Sequence, residues 1–232
     1  MVRRTKEEAQ ETRNRLLDTA ELVFNERGVS RTSLAEIAEA AGVTRGAIYW
    51  HFKNKLDLFN AMMERVILPV EEVTEEFADG SIEDPVGNIR ERSIAILKDL
   101  GKNPQMQRVF DIMSHKCEYV DEMAPLKDRH LEGRGECVMH IEEGFRQAIK
   151  KGCLPKSTNP KLAAIGLHAL IDGLIMNWLL DPKYFSFERD AEQMVDSYLR
   201  GLGVCGMAAE KKAVTGVRKL VASAKTKSAR KA

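Results

Sequence analysis

The residues from Ser33 to Phe52, SLAEIAEAAGVTRGAIYWHF, leave little freedom in how this chain begins to fold. Ser33 and Glu36 make the pattern of a capping box, so a helix is expected to start at Leu34. Leu34, Ile37, Ala38 and Ala41 recur at i, i+3, i+4 and i+7, one buried stripe. Gly42 supplies a left-handed stop and Val43 plugs the angle that follows. Thr44 then caps a second helix from Arg45 to about His51. Two short helices joined in this way form a helix-turn-helix, a unit whose second helix enters a DNA major groove.

The second helix has two unlike faces. Ile48 and Phe52, four apart, share the inner side. At about 100° per residue, Gly46 and Trp50 point the other way, with Arg45 and Tyr49 beside them and Lys53 and Lys55 just beyond. A solvated helix rarely places Gly, Tyr and Trp together, because the glycine weakens it and the aromatics expose apolar area. Against DNA each has a use. Gly46 admits the backbone to the groove, Arg45 reaches a guanine edge, and Tyr49 and His51 reach phosphate oxygens. The plain alternative is a helical hairpin with a chance aromatic patch. The candidate DNA contacts are Thr32, Ser33, Thr44, Arg45, Gly46, Tyr49, Trp50, His51 and Lys55.

The run T-x-x-x-I-A-x-x-A-G-V-x-x-G-x-x-Y-x-H-F-x-x-K, with Ser33 in its first place, is matched at Ile37, Ala38, Ala41, Gly42, Val43, Gly46, Tyr49, His51, Phe52 and Lys55. It resembles the N-terminal domain of TetR-family transcriptional regulators. The opening MVRRTKEEAQETR and the string GVTRGAIYWHF are similar to the AcrR/TtgR-type subgroup, repressors of multidrug efflux pumps. Past residue 65 the resemblance thins to HKCE at His115–Glu118 and DGL at Asp172–Leu174.

The resemblance implies an all-α homodimer, with a three-helix DNA-binding head and a six-helix ligand-binding and dimerisation bundle. It implies a repressor released from a palindromic operator by a small apolar or aromatic ligand; a regulator of lipid or other metabolism is the alternative, and an α-helical enzyme or a carrier of small apolar molecules is the rival from another class. It places the ligand cavity at Ile67, Val70, Ile89, Ile96, Phe110, Ser114, Cys137, Ile141, His168, Ile171 and Asp172. Related regulators carry histidines where this chain has Ile67 and Ser114, so the cavity here is expected to be more apolar.

Composition narrows the other classes. At 44% hydrophobic and 31% charged residues, the 232-residue chain has a globular profile and enough length to bury a core. No run of eighteen apolar residues occurs, so no membrane span is expected. The charged start (Arg3, Arg4, Lys6, Glu7, Glu8) lacks an apolar signal segment, and a cytoplasmic protein is expected. Cys117, Cys137, Cys153 and Cys205 show no C-x-x-C spacing and are expected as reduced thiols. The H-x-C-E at His115 lacks a second half at ligand spacing, so neither metal nor cofactor is expected. No nucleophile elbow, phosphate-cradling glycine loop or acid pair appears, and an enzyme is not expected.

Net charge is only +1, and its distribution says more. Residues 206–232 hold eight Lys/Arg against Glu210, a basic tail, while the first sixty hold ten Lys/Arg against nine Asp/Glu. DNA affinity must therefore come from local placement and from two copies. The division expected is a DNA-binding domain over 1–60, a ligand-binding and dimerisation domain over 61–205, and the tail, with residues 1–6 as a basic arm or a frayed end.

Helices are expected over about 7–27, 34–41, 45–51, 55–78, 85–101, 104–114, a long segment ending near Lys151, 160–180 and 187–202. Asn54, Asp84, Asn103 and Asn159 are caps, the last three followed by proline. Gly28 and Gly152 are stops. Leu131, Val138, Ile141, Phe145 and Ile149 mark the inner side of the long segment. Pro69 is expected to kink or divide the fourth helix near Leu68, as a hinge or a simple bend. Helices 160–180 and 187–202 carry more apolar surface than one body covers, with Trp178 and Tyr198 as expected dimer residues. Asp172 stands inside ALIDGLI, where a charge is costly unless paired or wetted; His168, four residues earlier, is its natural partner. Whether it faces a ligand or serves the structure stays open on sequence grounds.

Overall fold

The computed structural model describes residues 6–75 and 82–204, and side chains outside 68–75 within them. Residues 1–5 of the basic arm, the tail and Cys205 lie outside the described residues, and Lys6 begins α1. Every regular element among the described residues is helical: α1 Lys6–Arg27, α2 Leu34–Ala40, α3 Arg45–His51, α4 Lys55–Glu75, α5 Pro85–Lys102, α6 Pro104–Asp111, α7 Pro125–Lys150, α8 Pro160–Leu180 and α9 Phe187–Gly201. A π-type turn, Ile112–Lys116, extends α6, and a short 3-10 turn, Asp121–Met123, precedes α7.

The ends follow the cap chemistry. Ser33 and Glu36 close the capping box reciprocally, and Thr44 accepts from the Ala47 N–H at 3.2 Å. Asn54, Asp84, Asn103 and Asn159 each accept a first-turn N–H at 2.8–3.1 Å. Gly28 and Gly42 adopt φ of 83° and 65°, which allows α1 and α2 to stop where they do.

Leu16, Leu17, Ala20 and Phe24 of α1 meet Ile37, Ile48 and Phe52 in a core without solvent access or nearly so. The head is therefore held from inside, and α3 is left free to present its other face. In the body, α5 packs on α9 and α7 on α8, while α4 contacts α1 and α7 and α6 contacts α1 and α8.

Four expectations change. Helix α4 runs on through Pro69 to Glu75, so the proline does not divide it. Helix α6 widens into the π turn from Ile112, before the expected end at residue 114. Leu131 lies on the outer side of α7, exposed, because the stripe that packs inward is Ile141, Gly144, Phe145 and Ala148. Trp178 is buried within its own chain against Phe187, with ring centroids 5.2 Å apart, and belongs to the body core.

Helix α8 is long and apolar enough to cross a membrane. It is apolar on two sides for a different reason. Ala163, Ala164, Leu167, Ile175 and Trp178 pack into the body, while Leu162, Ile165, Met176 and Leu180 form a second, exposed stripe.

Candidate functional site

The head presents one polar and aromatic surface. Thr44, Arg45, Gly46, Tyr49 and Trp50 are exposed along α3, and Trp50 is 73% accessible. The Arg45 guanidinium lies 5.7 Å from the centre of the Tyr49 ring, and Trp50 meets His51 edge-on at 4.6 Å. These contacts limit the rotamers of long side chains and so reduce the entropy lost on docking. A β-carbon at Gly46 would meet only the Thr44 hydroxyl, at 4.0 Å, so the helix surface there is open to a close approach. Ser33 sits exposed at the start of α2, its hydroxyl bonded to Glu36.

Thr32 and Lys55 are corrections. Thr32 is buried, donating its hydroxyl to the Gly28 carbonyl at 2.8 Å. Lys55 is 8% accessible, and its ammonium donates to the carbonyls of Val29 at 3.0 Å and Thr32 at 3.1 Å. It also lies 3.1 Å from Glu122. Both side chains finish the loop between α1 and α2, whose carbonyls no helix satisfies. They shape the reading surface from behind.

The joint between head and body contains a second polar centre that sequence patterns did not reveal. Glu21, 1% accessible, accepts from Gln105 at 2.7 Å and lies 3.5 Å from Arg65 and 3.4 Å from Arg108. One carboxylate thus ties α1 to α4 and α6. Nearby, Asn25 donates to Asp111 at 2.9 Å, and Asp111 pairs with His115 at 2.8 Å. The Val29 N–H donates to the Lys116 carbonyl at 2.9 Å. His115 is thus a structural partner. Among the described residues, no group of three His, Cys, Asp or Glu could hold a metal.

A cavity of about 190 Å³ opens within the body between α4, α6, α7 and α8. Ile67, Ile96, Phe110, Cys137, Ile141, His168, Ile171 and Asp172 line it. Ile89 and Ser114 do not: Ile89 is fully buried in the core and Ser114 falls in the π turn after α6. The side chain of Val70 lies outside the described residues. Phe59, Asn60 and Met63 of α4, Met113 and Tyr119 are added. So is a run on α7, where Leu126, Arg129, His130, Gly133 and Arg134 precede Cys137. The α7 run was missed because Arg and His at helical spacing read as a solvated face.

His168 and Asp172 pair at 3.1 Å, one turn apart on α8. The hydrogen bond to Asp172, and then that to Cys137, push the His168 imidazole up to about 10, so it is protonated at neutral pH. Asp172 is half exposed at the cavity wall, so pairing and water together remove the penalty expected for a buried charge. Cys117, Cys137 and Cys153 are free thiols, and burial pushes Cys117 up to about 11.

A reading helix on a rigid head, polar ties to α4 and α6, and an apolar cavity bordered by those helices define a ligand-responsive helix-turn-helix DNA-binding protein. The chain belongs to the TetR family of bacterial regulatory proteins: residues 16–62 match that family's model, and residues 84–204 match the C-terminal region of MAATS-type transcriptional repressors. It is 39% identical to the regulator TtgR of Pseudomonas putida over 86% of this chain and 95% of that one. It is also 39% identical to AcrR of Shigella flexneri, over 88% and 95%. Among solved structures, NalD, the secondary repressor of the MexAB-OprM multidrug efflux pump in Pseudomonas aeruginosa, superposes with a TM-score of 0.77 at 36% identity, covering 86% of this chain and 98% of NalD. The complex of SmeT with triclosan, SmeT being the repressor of a Stenotrophomonas maltophilia efflux pump, gives 0.78 at 31%, covering 88% and 97%.

Proposed function

We propose that this repressor controls a multidrug efflux operon, binding its operator as a homodimer and leaving it when a small aromatic molecule enters the body. The observation that carries the reading is the pairing, in one chain, of an exposed α3 surface with a cavity bordered by α4. Support for efflux as the target comes from NalD and SmeT, both repressors of multidrug efflux pumps, and support for a small aromatic ligand from triclosan in SmeT.

In this reading residues 1–60 are the DNA-binding domain, and Ser33, Thr44, Arg45, Gly46, Tyr49, Trp50 and His51 meet the operator. Residues 61–205 bind ligand and dimerise, the exposed stripe of α8 pairing across a two-fold axis with help from α9. Two heads related by that axis need a pseudo-palindromic site with half-sites on one side of the duplex. The protein works in the cytoplasm, where the DNA is, and carries no catalytic group. Ligand releases DNA by favouring a spacing of the heads that the operator does not fit; tight binding alone would shift nothing.

Footprinting on the region upstream of the protein's own gene tests the reading. A protected pseudo-palindrome, lost on adding triclosan or a plant phenolic, is the expected result. Absence of any sequence-specific protection would overturn it.

A further inference from the structure

The cavity has an apolar interior and a cationic edge. Phe59, Met63, Ile96, Phe110, Ile141 and Ile175 supply the interior. Arg129, His130 and Arg134 of α7 all line the cavity, and His130 and Arg134, four residues apart, share a face of the helix. Arg134 and His130 are exposed, so they stand where the cavity meets solvent.

The charges there do not cancel. Among the described residues Asp172 is the acid in the lining, and it is already 3.1 Å from His168. Arg129 is 3.4 Å from Glu64, an exposed and therefore weak pairing. Arg134 has no carboxylate within salt-bridge distance among the described residues. With His168 protonated, the described residues of the lining hold three cations, Arg129, Arg134 and His168, against one anion. A planar guanidinium beside an apolar cavity matches a carboxylate in two-pronged geometry. Asn60 lines the same cavity, and its side-chain oxygen is buried without a hydrogen-bond partner among the described residues. An amide left so is costly until a ligand hydroxyl meets it.

We propose that the cavity is built for a hydroxylated aromatic carboxylic acid, with the ring in the apolar interior, the hydroxyl at Asn60 and the carboxylate at Arg134 and Arg129. The assignment rests on the ligand-released repressor reading above and names the class of ligand. Size agrees, since a dry cavity of about 150 Å³ accepts benzene and this one is near 190 Å³ with an open side.

Calorimetry on the full chain with p-coumaric acid, its primary amide and cinnamic acid tests the assignment, with operator binding followed in parallel. The acid should bind on the order of tenfold more tightly than the amide, the scale of one charge-assisted hydrogen bond. That preference should shrink as salt is raised and vanish in Arg134→Gln/Arg129→Gln, which keeps operator binding and melting temperature. Asn60→Leu should remove the advantage of p-coumaric over cinnamic acid. Equal binding of acid and amide, a preference that survives the double variant, or no binding of any probe overturns the assignment. Loss of operator binding by the unmodified protein would instead sink the repressor reading, so the two failures are told apart.

Discussion

The ammonium of Lys55 lies 3.1 Å from the carboxylate of Glu122, joining the first residue of α4 to the segment that closes one side of the cavity. Tyr119 and Leu126, on either side of Glu122 in sequence, line the cavity itself. A ligand that moves Tyr119 therefore acts on a segment bonded to the start of α4 and, through Lys116, to the loop before α2.

The strength of that joint should come from carbonyls more than from the ion pair. Lys55→Met leaves the carbonyls of Val29 and Thr32 without their buried donor and should cost about 2–3 kcal/mol. Glu122→Gln removes a half-exposed partner and should cost less than about 1 kcal/mol. Urea denaturation of both variants checks the order; a larger loss in Glu122→Gln would assign the joint to the ion pair.

Arg45→Ala should weaken operator binding by about 1–3 kcal/mol and relax preference at one base pair per half-site. Its side chain is exposed and makes no ion pair among the described residues, only the approach to Tyr49, so stability should change little. Competition with operators mutated one position at a time is the measurement. Uniform weakening on every sequence would make Arg45 a phosphate contact.

His168 makes stability depend on pH with a definite sign. Its folded value, about 10, stands above the ordinary 6.5, so folding favours the protonated ring. That contribution is complete below about pH 6.5 and is lost as pH rises through about 10. The effect is modest because Asp172 is half in water. Melting curves of the unmodified protein and His168→Asn should converge toward high pH; curves that stay parallel over that window would exclude the pairing as a source of stability.

The two apolar sides of α8 should respond differently to charge. Leu162→Glu with Ile165→Glu falls on the exposed stripe and should give a folded monomer by sedimentation with weaker operator binding. Trp178→Glu falls in the core beside Phe187 and should unfold the body, at a cost of about 3–5 kcal/mol or more. A double variant that still sediments as a dimer would place the interface elsewhere.

Local chemistry by itself determined where most helices begin and end, because each signal acts within four residues. Ser33 with Glu36, Thr44, Asn54, Asp84, Asn103 and Asn159 all cap as their positions require, and Gly28 and Gly42 turn the chain where a side chain would be strained. The two faces of α3 were equally legible, since Ile48 and Phe52 pack inward on a fixed period while Trp50 stays in water. Only the tertiary structure decided what each polar side chain is for. Lys55, read as facing DNA, is drawn inward by loop carbonyls that come from 23 and 26 residues earlier in the chain. Glu21 looks like any surface acid until Arg65, Arg108 and Gln105 enclose it. Arg134 and Arg129 read as a solvated face until α4 and α8 bring apolar walls beside them. Caps and periods are properties of one segment, whereas burial and charge pairing belong to segments far apart in sequence, and no local pattern encodes them.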